Sequence, residues 1–419
     1  MPAKELLAYM DGILAGRVAQ SPQGNTTFTY DEDYRQSADA TPLSLSMPLT
    51  RAKHPSRAIM PFLAGLLPDN EARLARLASE YQTSTNPFAL LTHIGRDSAG
   101  AIQLLPPGED SSDAATRQGD IARLSTDDFA DLIADIVDNA ATWGSRTGME
   151  ARWSLPGAQP KIALFRFDDG SWGVPRDSTP TTHVLKPAMA PYADHDVNEH
   201  VTMAAAERLG LTVADHGILT TPVGHRVFVS RRYDRSVVDG RWIRRHQEDL
   251  CQALSVPPAM KYQGDGGPGV AAIADLFRDS VPDLHERRRA REQFFGALVF
   301  AVSAACTDAH AKNYSLLLER RSVKLAPLYD LGTHAPYRAS APLRSAMKVG
   351  DEYRFAAISK RMLVATARRL SLDEEWAENR VDEIRSGAAQ AFSDAAAHID
   401  APYAGFVADA VAAFAEGRS

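Results

Sequence analysis

The segment from Thr307 to Asp330 constrains this chain more than any other, because it places three oxygen-bearing side chains at a restrictive spacing. Asp308 stands five positions before Asn313, and Asp330 follows after two short apolar runs. The four residues between Asp308 and Asn313 let the loop turn back, so that the Asp faces an incoming hydroxyl while the Asn carbonyl faces a metal held on phosphates. Carboxylate and amide oxygens are hard ligands of the kind that Mg²⁺ takes, together with water. The spacing therefore predicts a site for phosphoryl transfer.

The same order of residues is typical of protein kinases. In these enzymes a base Asp precedes a metal-binding Asn by five positions, and a second Asp follows a short hairpin. An alternative interpretation is that Asp308 caps a helix or turn and that Asp330 lies in a strand-end turn, since Asp is favoured in both places. The spacing alone is a weak signal. The choice between the two interpretations depends on the upstream sequence.

The length and composition restrict the class of protein. With 419 residues, of which 44% are hydrophobic and 24% charged, the chain fits a globular protein of two or three structural units. Its net charge of −7 argues against a generally basic nucleic-acid binder. Only Cys251 and Cys306 are present, which excludes a disulfide framework or zinc cluster and fits a reducing cytosol. With no secretory signal and no apolar run of membrane-spanning length, we expect a cytoplasmic protein without a membrane partner.

The apolar periodicity of the first hundred residues predicts strands followed by helices. Residues 5–30 alternate in the manner of strands around the Asp-Gly pair at 11–12, which is a hairpin signal. From residue 61 to 81 the apolar spacing becomes helical. The sequence Pro-Asp-Asn at 68–70 is expected to break that run and to cap a second helix.

Further helices are predicted in the remainder of the chain. An acidic amphipathic helix is expected over residues 125–140, and a long one from about Asp283 to Ala305. After Asp330 the chain is Ala-rich and amphipathic over 356–369 and 374–417. This pattern predicts a helical C-terminal region.

Two upstream features bear on phosphate binding. Residues 154–161 form a loop before a strand-like run, and its single Gly157 lets backbone N–H groups approach oxygens closely. One glycine is a poor match to a Walker A or a kinase G-x-G-x-x-G loop, so an ordinary hairpin turn is the alternative. Lys186 ends an apolar strand and Glu199 opens a helix, which is the pairing that kinases use to hold phosphates. The alternative is a solvent-reaching Lys and a Glu favoured by the helix dipole.

Taken together, several phrases resemble the HipA family of toxin kinases. They are Ser154–Lys161, Thr182–Lys186, Gln247–Gln252, Gly264–Gly269 and Thr307–Asn313. Residues 42–49, 66–70 and 94–101 are similar to the first domain of the same family. The resemblance covers nearly the whole chain in order, so no single motif has to carry it.

The resemblance implies an α+β fold of the two-lobe protein-kinase type, with an N-terminal β-rich subdomain and an all-α C-terminal lobe. Residues 1–110 would form the N-terminal HipA-type subdomain, with β-hairpins and helices. Residues 111–235 would form the kinase N-lobe, with the nucleotide loop and hinge, and residues 236–419 the helical C-lobe with the catalytic loop.

The resemblance also implies roles for individual residues. Asp308 would be the catalytic base, Asn313 and Asp330 the magnesium ligands, and Ser154 the autophosphorylated serine whose modification ejects the nucleotide loop. The residues expected to contact ATP are Pro156, Gly157, Ala158, Gln159, Pro160, Lys161, Lys186, Arg231, Arg232, Tyr233, His310, Ala311, Lys312, Asn313, Tyr329 and Asp330. Two features depart from expectation: the prolines at 156 and 160 remove two N–H donors from the loop, and Arg231 stands where an acidic hinge residue is expected.

The function implied is that of an ATP- and Mg²⁺-dependent serine/threonine kinase, the toxin of a bacterial toxin–antitoxin operon. Its expected substrate is an aminoacyl-tRNA synthetase, and its expected partner is a HipB-like helix-turn-helix antitoxin that mediates contact with operator DNA. One alternative is a non-catalytic, kinase-shaped corepressor acting through the antitoxin, and another is a small-molecule kinase on the same scaffold. The presence of Lys186, Asp308, Asn313 and Asp330 together favours an active kinase, because a degenerate member should have lost at least one.

Overall fold

The computed structural model describes residues 4–109, 119–139, 153–188, 194–337 and 341–418. The chain divides into two compact units. Unit 1 comprises residues 1–187, 219–259 and 317–321, and unit 2 comprises residues 188–218, 260–316 and 322–419, each over its described part. The boundary expected at residue 110 lies outside the described residues, and the expected division into three domains stays a prediction.

Strands and short helices dominate the first part of the chain. In chain order they are β1 (Glu5–Met10), β2 (Ile13–Gln20), β3 (Thr26–Tyr30), α1 (Glu32–Gln36), β4 (Lys53–His54), α2 (Ser56–Gly65), α3 (Glu71–Glu80), α4 (Pro87–Ile94), β5 (Asp97–Ser98), β6 (Ile102–Leu105), β7 (Ile121–Arg123), α5 (Thr126–Asp138), β8 (Trp153–Ser154), β9 (Ile162–Arg166), β10 (Trp172–Pro175) and β11 (His183–Pro187).

Longer helices appear in the second part. The elements there are α6 (His195–Arg208), β12 (His216–Thr220), β13 (Arg226–Arg231), β14 (Arg235–Val238), β15 (Arg241–Arg244), β16 (His246–Asp249), α7 (Leu250–Ala253), α8 (Val270–Ser280), α9 (Leu284–Ser303), β17 (Ser315–Glu319), β18 (Ser322–Leu325), β19 (Arg344–Val349), β20 (Glu352–Arg354), α10 (Lys360–Arg369), α11 (Glu374–Ala396) and α12 (Pro402–Ala415).

The first sheet of unit 1 has the strand order β4-β3-β2-β1-β6. Its β1–β2 hairpin turns at Asp11 and Gly12, whose φ angles of 45° and 86° are both left-handed. Two left-handed residues make the tight turn that matches the twist of paired strands, so the predicted hairpin is confirmed. Side chains of β1 alternate between half-buried and buried, and Leu6 and Ala8 are fully buried against the adjoining helices.

The helical break predicted near residue 68 is also present. Helix α2 ends at Gly65, and α3 begins after Asn70, whose side chain accepts a hydrogen bond from the Arg73 N–H at 3.0 Å. A side-chain acceptor at this position satisfies one of the backbone donors that a helix start leaves unpaired. The chain turns after α2 at Leu66 and Leu67, and Asn70 is in an extended conformation where α3 begins.

A second sheet in unit 1 contains the adjacent strands β13-β11-β9-β10-β7. Helix α5 packs its apolar face against this sheet. Phe129 of the helix stacks on Trp172 of β10, with ring centroids 5.7 Å apart. The Ser125 hydroxyl and Asp128 carboxylate form a reciprocal cap at its start. The helix predicted over 125–140 is thus confirmed, with its described end at Asp138.

Unit 2 is built around two long helices, α9 and α11. Helix α11 packs against α6, α9 and α12, and Phe300 of α9 stacks on Phe392 of α11 with centroids 6.1 Å apart. Phe294, Phe295 and Leu298 of α9 are almost fully buried. The long helix predicted from about Asp283 is confirmed, and the Asp283 side chain caps it.

The C-terminal region is helical as expected, but it is not all-α. Residues 344–354 form the antiparallel β19–β20 hairpin, which turns at Gly350 with φ of 63°. The stretch predicted as helical over 374–417 consists of two helices, because Pro402 begins α12 at the position where a missing N–H does no harm. In the described ranges, no helix is long and apolar enough to cross a membrane.

Candidate active site

The loop that follows α9 closes on itself over the predicted spacing. The Asn313 side-chain Nδ2 donates to the Asp308 backbone carbonyl at 2.8 Å. Within the loop the His310 N–H donates to the Asp308 carbonyl at 2.8 Å, and the Asn313 N–H donates to the His310 carbonyl at 2.9 Å. Three hydrogen bonds therefore fix the five-residue separation, and they leave both side chains at the loop surface.

The Asp308 carboxylate has a mixed environment. Its side chain is 52% exposed, whereas that of His310 is 2% exposed, with the His310 Nε2 lying 3.4 Å from the Asp308 Oδ1. The Tyr262 hydroxyl donates to the same Oδ1, and the Tyr262 ring meets the His310 ring edge to face at 4.9 Å. Burial lowers the pKa of His310, although the carboxylates of Asp308 and Asp330 oppose that effect. A neutral imidazole beside a solvent-facing carboxylate is the result.

The segment that carries Asp330 contacts the same loop through Tyr329, the preceding residue. The Tyr329 hydroxyl donates to the Lys312 carbonyl at 3.1 Å and lies 2.6 Å from the Ser315 hydroxyl. Asp330 itself is half-buried and has a left-handed φ of 56°, a conformation that non-glycine residues adopt only when the surrounding structure holds them. The structure therefore brings the Asp330 segment against residues 312–315.

The oxygen donors at this place suit a hard divalent cation. Asn313 and Asp330 offer amide and carboxylate oxygens, which Mg²⁺ accepts alongside phosphate oxygens and water. In the part of the chain that the structure describes, no group of three or more His, Cys, Asp or Glu side chains could hold an ion alone.

The loop over residues 154–161 belongs to unit 1, where it is attached to the segment after α2. Gly157 forms a parallel bridge with Pro68, and its carbonyl accepts the Asp69 N–H at 3.1 Å. Gly157 has φ of 106°, which requires glycine. The buried Lys161 donates from Nζ to the Pro156 carbonyl at 2.7 Å, across the loop.

The remaining loop residues differ in exposure. Ala158 is exposed, while Gln159 and Pro160 are half-buried. Ser154, at the start of the loop, is 1% exposed and donates from its hydroxyl to the Leu66 carbonyl at 2.6 Å. Hydrogen bonds thus hold the loop at its first residue, Ser154, and at Gly157.

Lys186 and Arg231 lie on neighbouring strands of the second sheet, and residues 232 and 233 follow directly after the strand that carries Arg231. Lys186 of β11 is opposite Phe228 of β13, and its Nζ lies 5.5 Å from the centre of the Phe228 ring. Arg231 ends β13 and is exposed, while the Tyr233 hydroxyl donates to the Gln247 side chain. Lys186 is half-buried at the end of its strand, as the sequence indicated.

Two family models match the chain in sequence order. The model described as the HipA N-terminal domain matches residues 6–105, and that described as the HipA-like C-terminal domain matches residues 153–392, more than half of the chain. This chain belongs to the HipA family.

Individual relatives agree with this membership. The protein Y4mE of Sinorhizobium fredii is 35% identical over 85% of this chain and 83% of its own length. The serine/threonine-protein kinase toxin HipA of Shewanella oneidensis is 29% identical over 77% of this chain and 73% of its own length. The expected enzyme class, a kinase of the HipA family, is confirmed.

A solved structure has the same fold. It is the Shewanella oneidensis HipA structure in complex with HipB and operator DNA, and it matches with a TM-score of 0.81 at 24% identity. The match covers 98% of this chain and 96% of that one. The expected mixed α+β class, with an N-terminal sheet and a helical C-terminal region, is confirmed.

The residues that the HipA resemblance assigned to the site fall into two groups by unit. Asp308, Tyr329, Asp330 and the loop residues from His310 to Asn313 belong to unit 2, where Ala311 and Lys312 are buried. Ser154 to Lys161, Lys186 and Arg231 to Tyr233 belong to unit 1. Hydrogen bonds and close contacts link Asp308, His310 and Asn313 to one another and Tyr329 to Lys312.

The resemblance implies that Arg232 lines the adenine largely through backbone groups, and this stays a prediction. Its side chain is 4% exposed and pairs with Asp97 at 3.3 Å and with Asp234 at 2.9 Å. Its backbone N–H donates to the Thr182 carbonyl at 2.9 Å. The guanidinium and the backbone N–H of Arg232 are therefore used inside unit 1, and its carbonyl accepts the Arg235 N–H at 3.2 Å.

The pairing of Arg232 belongs to a buried cluster that sequence reasoning missed. Asp97 also pairs with Arg235 at 2.9 Å and with Arg244 at 3.1 Å, and these arginine side chains are at most 1% exposed. The three guanidinium groups hold the pKa of Asp97 well below its usual range despite burial. In this HipA-family chain the cluster joins the 94–101 segment to the segment that follows β13.

Tyr262 is the other residue that the sequence did not single out. It precedes the Gly-rich segment 264–269, which composition marks only as a loop. The Gly-rich segment 264–269 is one of the phrases that resemble the HipA family, and it lies between β13 and α9. Nothing in the local sequence, however, indicates that Tyr262 contacts the carboxylate of Asp308.

Proposed function

We propose that this protein is an ATP- and Mg²⁺-dependent serine/threonine-protein kinase that acts as the toxin of a HipA–HipB type pair in the bacterial cytosol. Its proposed scaffold is the two-lobe kinase type, with residues 1–110 as the N-terminal subdomain, 111–235 as the N-lobe and 236–419 as the C-lobe. The observation that carries the proposal is the closed loop in which Asn313 returns to the Asp308 carbonyl while the Asp308 carboxylate stays exposed.

The proposed chemistry begins at Asp308. The Tyr262 hydroxyl already donates to this carboxylate, so a substrate hydroxyl can do the same when it takes that place. Asp308 would orient the hydroxyl and accept its proton as the oxygen bonds to phosphorus and the bond to the ADP oxygen breaks. The neutral His310 beside it leaves the negative charge of Asp308 uncompensated by an imidazolium, which supports a role as base.

Other residues would bind the donor. Asn313 and Asp330 would hold the cation, which when bound offsets charge on the phosphates. Lys186 would contact the α- and β-phosphates as a point charge. The remaining nucleotide contacts would come from Pro156 to Lys161, from Arg231 to Tyr233, from His310 to Lys312, and from Tyr329.

Autophosphorylation of Ser154 is proposed as the off switch. The Ser154 hydroxyl is buried and donates to Leu66, so it must leave this position before it can accept a phosphoryl group. A phosphate removes the donor and adds nearly two negative charges beside a carbonyl oxygen. The modified residue could not return, and the bridge between Gly157 and Pro68 would be released with it.

The partners proposed are an aminoacyl-tRNA synthetase as substrate and a HipB-like helix-turn-helix antitoxin. The Shewanella oneidensis relative was crystallised with HipB and operator DNA, which supports an antitoxin partner here. The net charge of −7 offers little attraction for DNA phosphates, so contact with an operator would come through the antitoxin.

The test is transfer of labelled phosphate from ATP and Mg²⁺, with the labelled site mapped by mass spectrometry. Wild type and Asp351→Asn, an exposed turn carboxylate in unit 2, should label Ser154 equally. Asp308→Asn should lose label by about 10³-fold or more, given what positioned proton transfer and orientation contribute. Ser154→Ala should lose the self-label but still label a synthetase in lysate.

Two results would change the conclusion. If wild type binds ATP and transfers nothing to itself or to lysate proteins, the role of Asp308 as base is wrong, and a non-catalytic corepressor is the better description. If Asp308→Asn labels as well as wild type does, another residue is the base.

A further inference from the structure

A buried amide on α6 is bonded to the chain just after Asp330. Asn198 and Thr333 are 0% and 1% exposed. The Thr333 N–H donates to the Asn198 Oδ1 at 2.9 Å, and the Asn198 Nδ2 donates to the Thr333 carbonyl at 2.8 Å. The side chain therefore satisfies both backbone groups of Thr333, as a neighbouring strand would.

The orientation of this amide is itself fixed. The Thr202 hydroxyl, one helical turn further along α6, donates to the Asn198 Oδ1 at 3.1 Å. On the other side the Asn198 Nδ2 also lies 3.2 Å from the Tyr337 hydroxyl. These contacts place the oxygen towards the Thr333 N–H, so the pair of hydrogen bonds forms in one arrangement only.

Thr333 links the Asp330 segment to the start of the loop that carries Asp308. Its hydroxyl donates to the Ala304 carbonyl at 2.5 Å, and the next residue, His334, donates from its N–H to the Ala305 carbonyl at 3.0 Å. Ala305 and Asp330 both have left-handed φ angles, of 53° and 56°. Ala305 lies three positions before Asp308, and Asp330 lies three positions before Thr333. Such conformations persist when neighbouring contacts over-determine them.

The chain before Asp330 is anchored as well. The Leu328 N–H donates to the Thr212 carbonyl at 2.9 Å, and the Leu328 carbonyl accepts the Ala214 N–H at 2.8 Å. Asp330 thus lies in a short segment whose two ends are held by hydrogen bonds at Leu328 and at Thr333. Loss of the Asn198 amide would remove both hydrogen bonds to the backbone of Thr333, so fewer contacts would hold the chain after Asp330 in its present course.

We propose that Asn198 is a positioning residue that fixes the Asp330 carboxylate for cation binding. The inference rests on the proposed function, in which Asp330 is a magnesium ligand. It assigns α6 a second role besides the one suggested for Glu199, because the amide acts on the backbone after Asp330 and not on a lysine. Loss of the amide loosens the metal ligand and leaves the nucleotide contacts of the other residues in place.

The experiment measures binding of Mn²⁺, a spectroscopic substitute for Mg²⁺, to the ADP complex by electron paramagnetic resonance. Asn198→Leu, which removes both hydrogen bonds at similar volume, should raise the Kd for Mn²⁺ by about 10- to 100-fold, the range for loss of a residue that orients a metal ligand. Metal-free ADP binding, measured by calorimetry, should change less than about threefold. Thr202→Val should act in the same direction with a smaller effect.

Matched controls separate this effect from general damage to α6. Met203 is fully buried on the same helix and makes none of the hydrogen bonds to Thr333. Met203→Ala should lower the melting temperature and leave the Kd for Mn²⁺ unchanged. If Asn198→Leu does not fold, Thr202→Val carries the test.

The outcomes distinguish the two levels of inference. If Asp330→Asn binds Mn²⁺ as wild type does, the metal role of Asp330 in the proposed function is wrong. If Asp330→Asn loses the ion while Asn198→Leu and Thr202→Val keep it, the positioning role alone is overturned. Equal losses in Asn198→Leu and Met203→Ala would also overturn it, because they would indicate a general loss of stability.

Discussion

Replacement of Asp97 by asparagine is expected to destabilise unit 1 strongly, because this carboxylate is the centre of a buried ionic cluster. Its Oδ1 accepts from Arg235 at 2.9 Å and from Arg244 at 3.2 Å. Its Oδ2 accepts from Arg232 at 3.3 Å and from the Thr181 hydroxyl at 2.6 Å. Asparagine keeps one acceptor oxygen. Its NH₂ group replaces the other oxygen and faces the donors that the other oxygen accepts from in the wild type.

The magnitude follows from the contacts that are lost. Hydrogen bonds to charged groups contribute about 1.5–3 kcal/mol each, and at least two are broken. Arg232 and Arg235 would then share Asp234 as a buried carboxylate, and Arg244 would keep only its longer contact with Asp11. Removal of one partner from a buried ion pair costs about 3–5 kcal/mol, because the charge left behind is uncompensated. Both routes give a loss of roughly 3–5 kcal/mol in the free energy of unfolding.

The assay is thermal unfolding followed by calorimetry. A loss of this size corresponds to a shift of roughly 6–20 °C for a domain of this size. The control is Asp169→Asn, which removes an exposed carboxylate paired with Arg123 at 2.7 Å. Exposed ion pairs contribute little to the free energy of unfolding, so this variant should have the same melting temperature as the wild type.

A second variant tests the reason for the effect. Arg232→Met added to Asp97→Asn removes one of the uncompensated cations and should recover part of the lost stability, as a double-mutant cycle would detect. If Asp97→Asn melts within about 2 °C of wild type, a loss below about 1 kcal/mol, the reasoning from buried charge is refuted. If the double variant is less stable than the sum of the single changes, excess positive charge is not the cause.

The same cluster has a defined pH dependence. The pKa of Asp97 is lowered in the folded protein, so its stabilisation is complete above the unfolded value of about 3.9 and is lost as the pH falls further. The stability of Asp97→Asn should therefore approach that of wild type at low pH.

Three further predictions concern other parts of the molecule. Burial raises the pKa of Glu248 to about 8, so the stability of wild type should fall as pH rises from about 4.5 to about 8, and Glu248→Gln should flatten that dependence in urea titrations at several pH values. Gly157→Ala places a methyl group against the Lys161 Nζ at a left-handed φ, so loop strain of about 1–3 kcal/mol should lower the ATP affinity measured by calorimetry by about 5- to 150-fold. Asn70→Ala removes the cap of α3 and should lower stability by about 1 kcal/mol in chemical denaturation, while Asn70→Asp should retain most of it.

The local part of this structure could be predicted because short-range geometry determines it. The Asp-Gly pair at 11–12 specifies a tight turn, and Pro-Asp-Asn at 68–70 stops one helix and caps the next. The separation of Asp308 and Asn313 is likewise local, since six residues of loop have few ways to bring an amide back to a carbonyl. Phosphate chemistry could be inferred from that spacing together with Lys186 and the Gly157 loop.

Distant pairings could not be predicted in the same way. The β19–β20 hairpin was missed because its alternation is short and it lies just before a strongly helical stretch, and helical periodicity hid the break before Pro402. No local pattern indicated that the Arg232 guanidinium pairs with Asp97, which is 135 positions away.

What the sequence by itself determined is the set of chemical groups and their local spacing: a carboxylate and an amide on one loop, a glycine where backbone must come close, and apolar faces for each helix. Only the tertiary structure decided which groups meet. Ser154 is bonded to Leu66 across 88 positions, and Asn198 to Thr333 across 135. The physical reason is that burial, which makes an unpaired polar group costly, is set by how distant elements pack, and local periodicity carries no information about the partner.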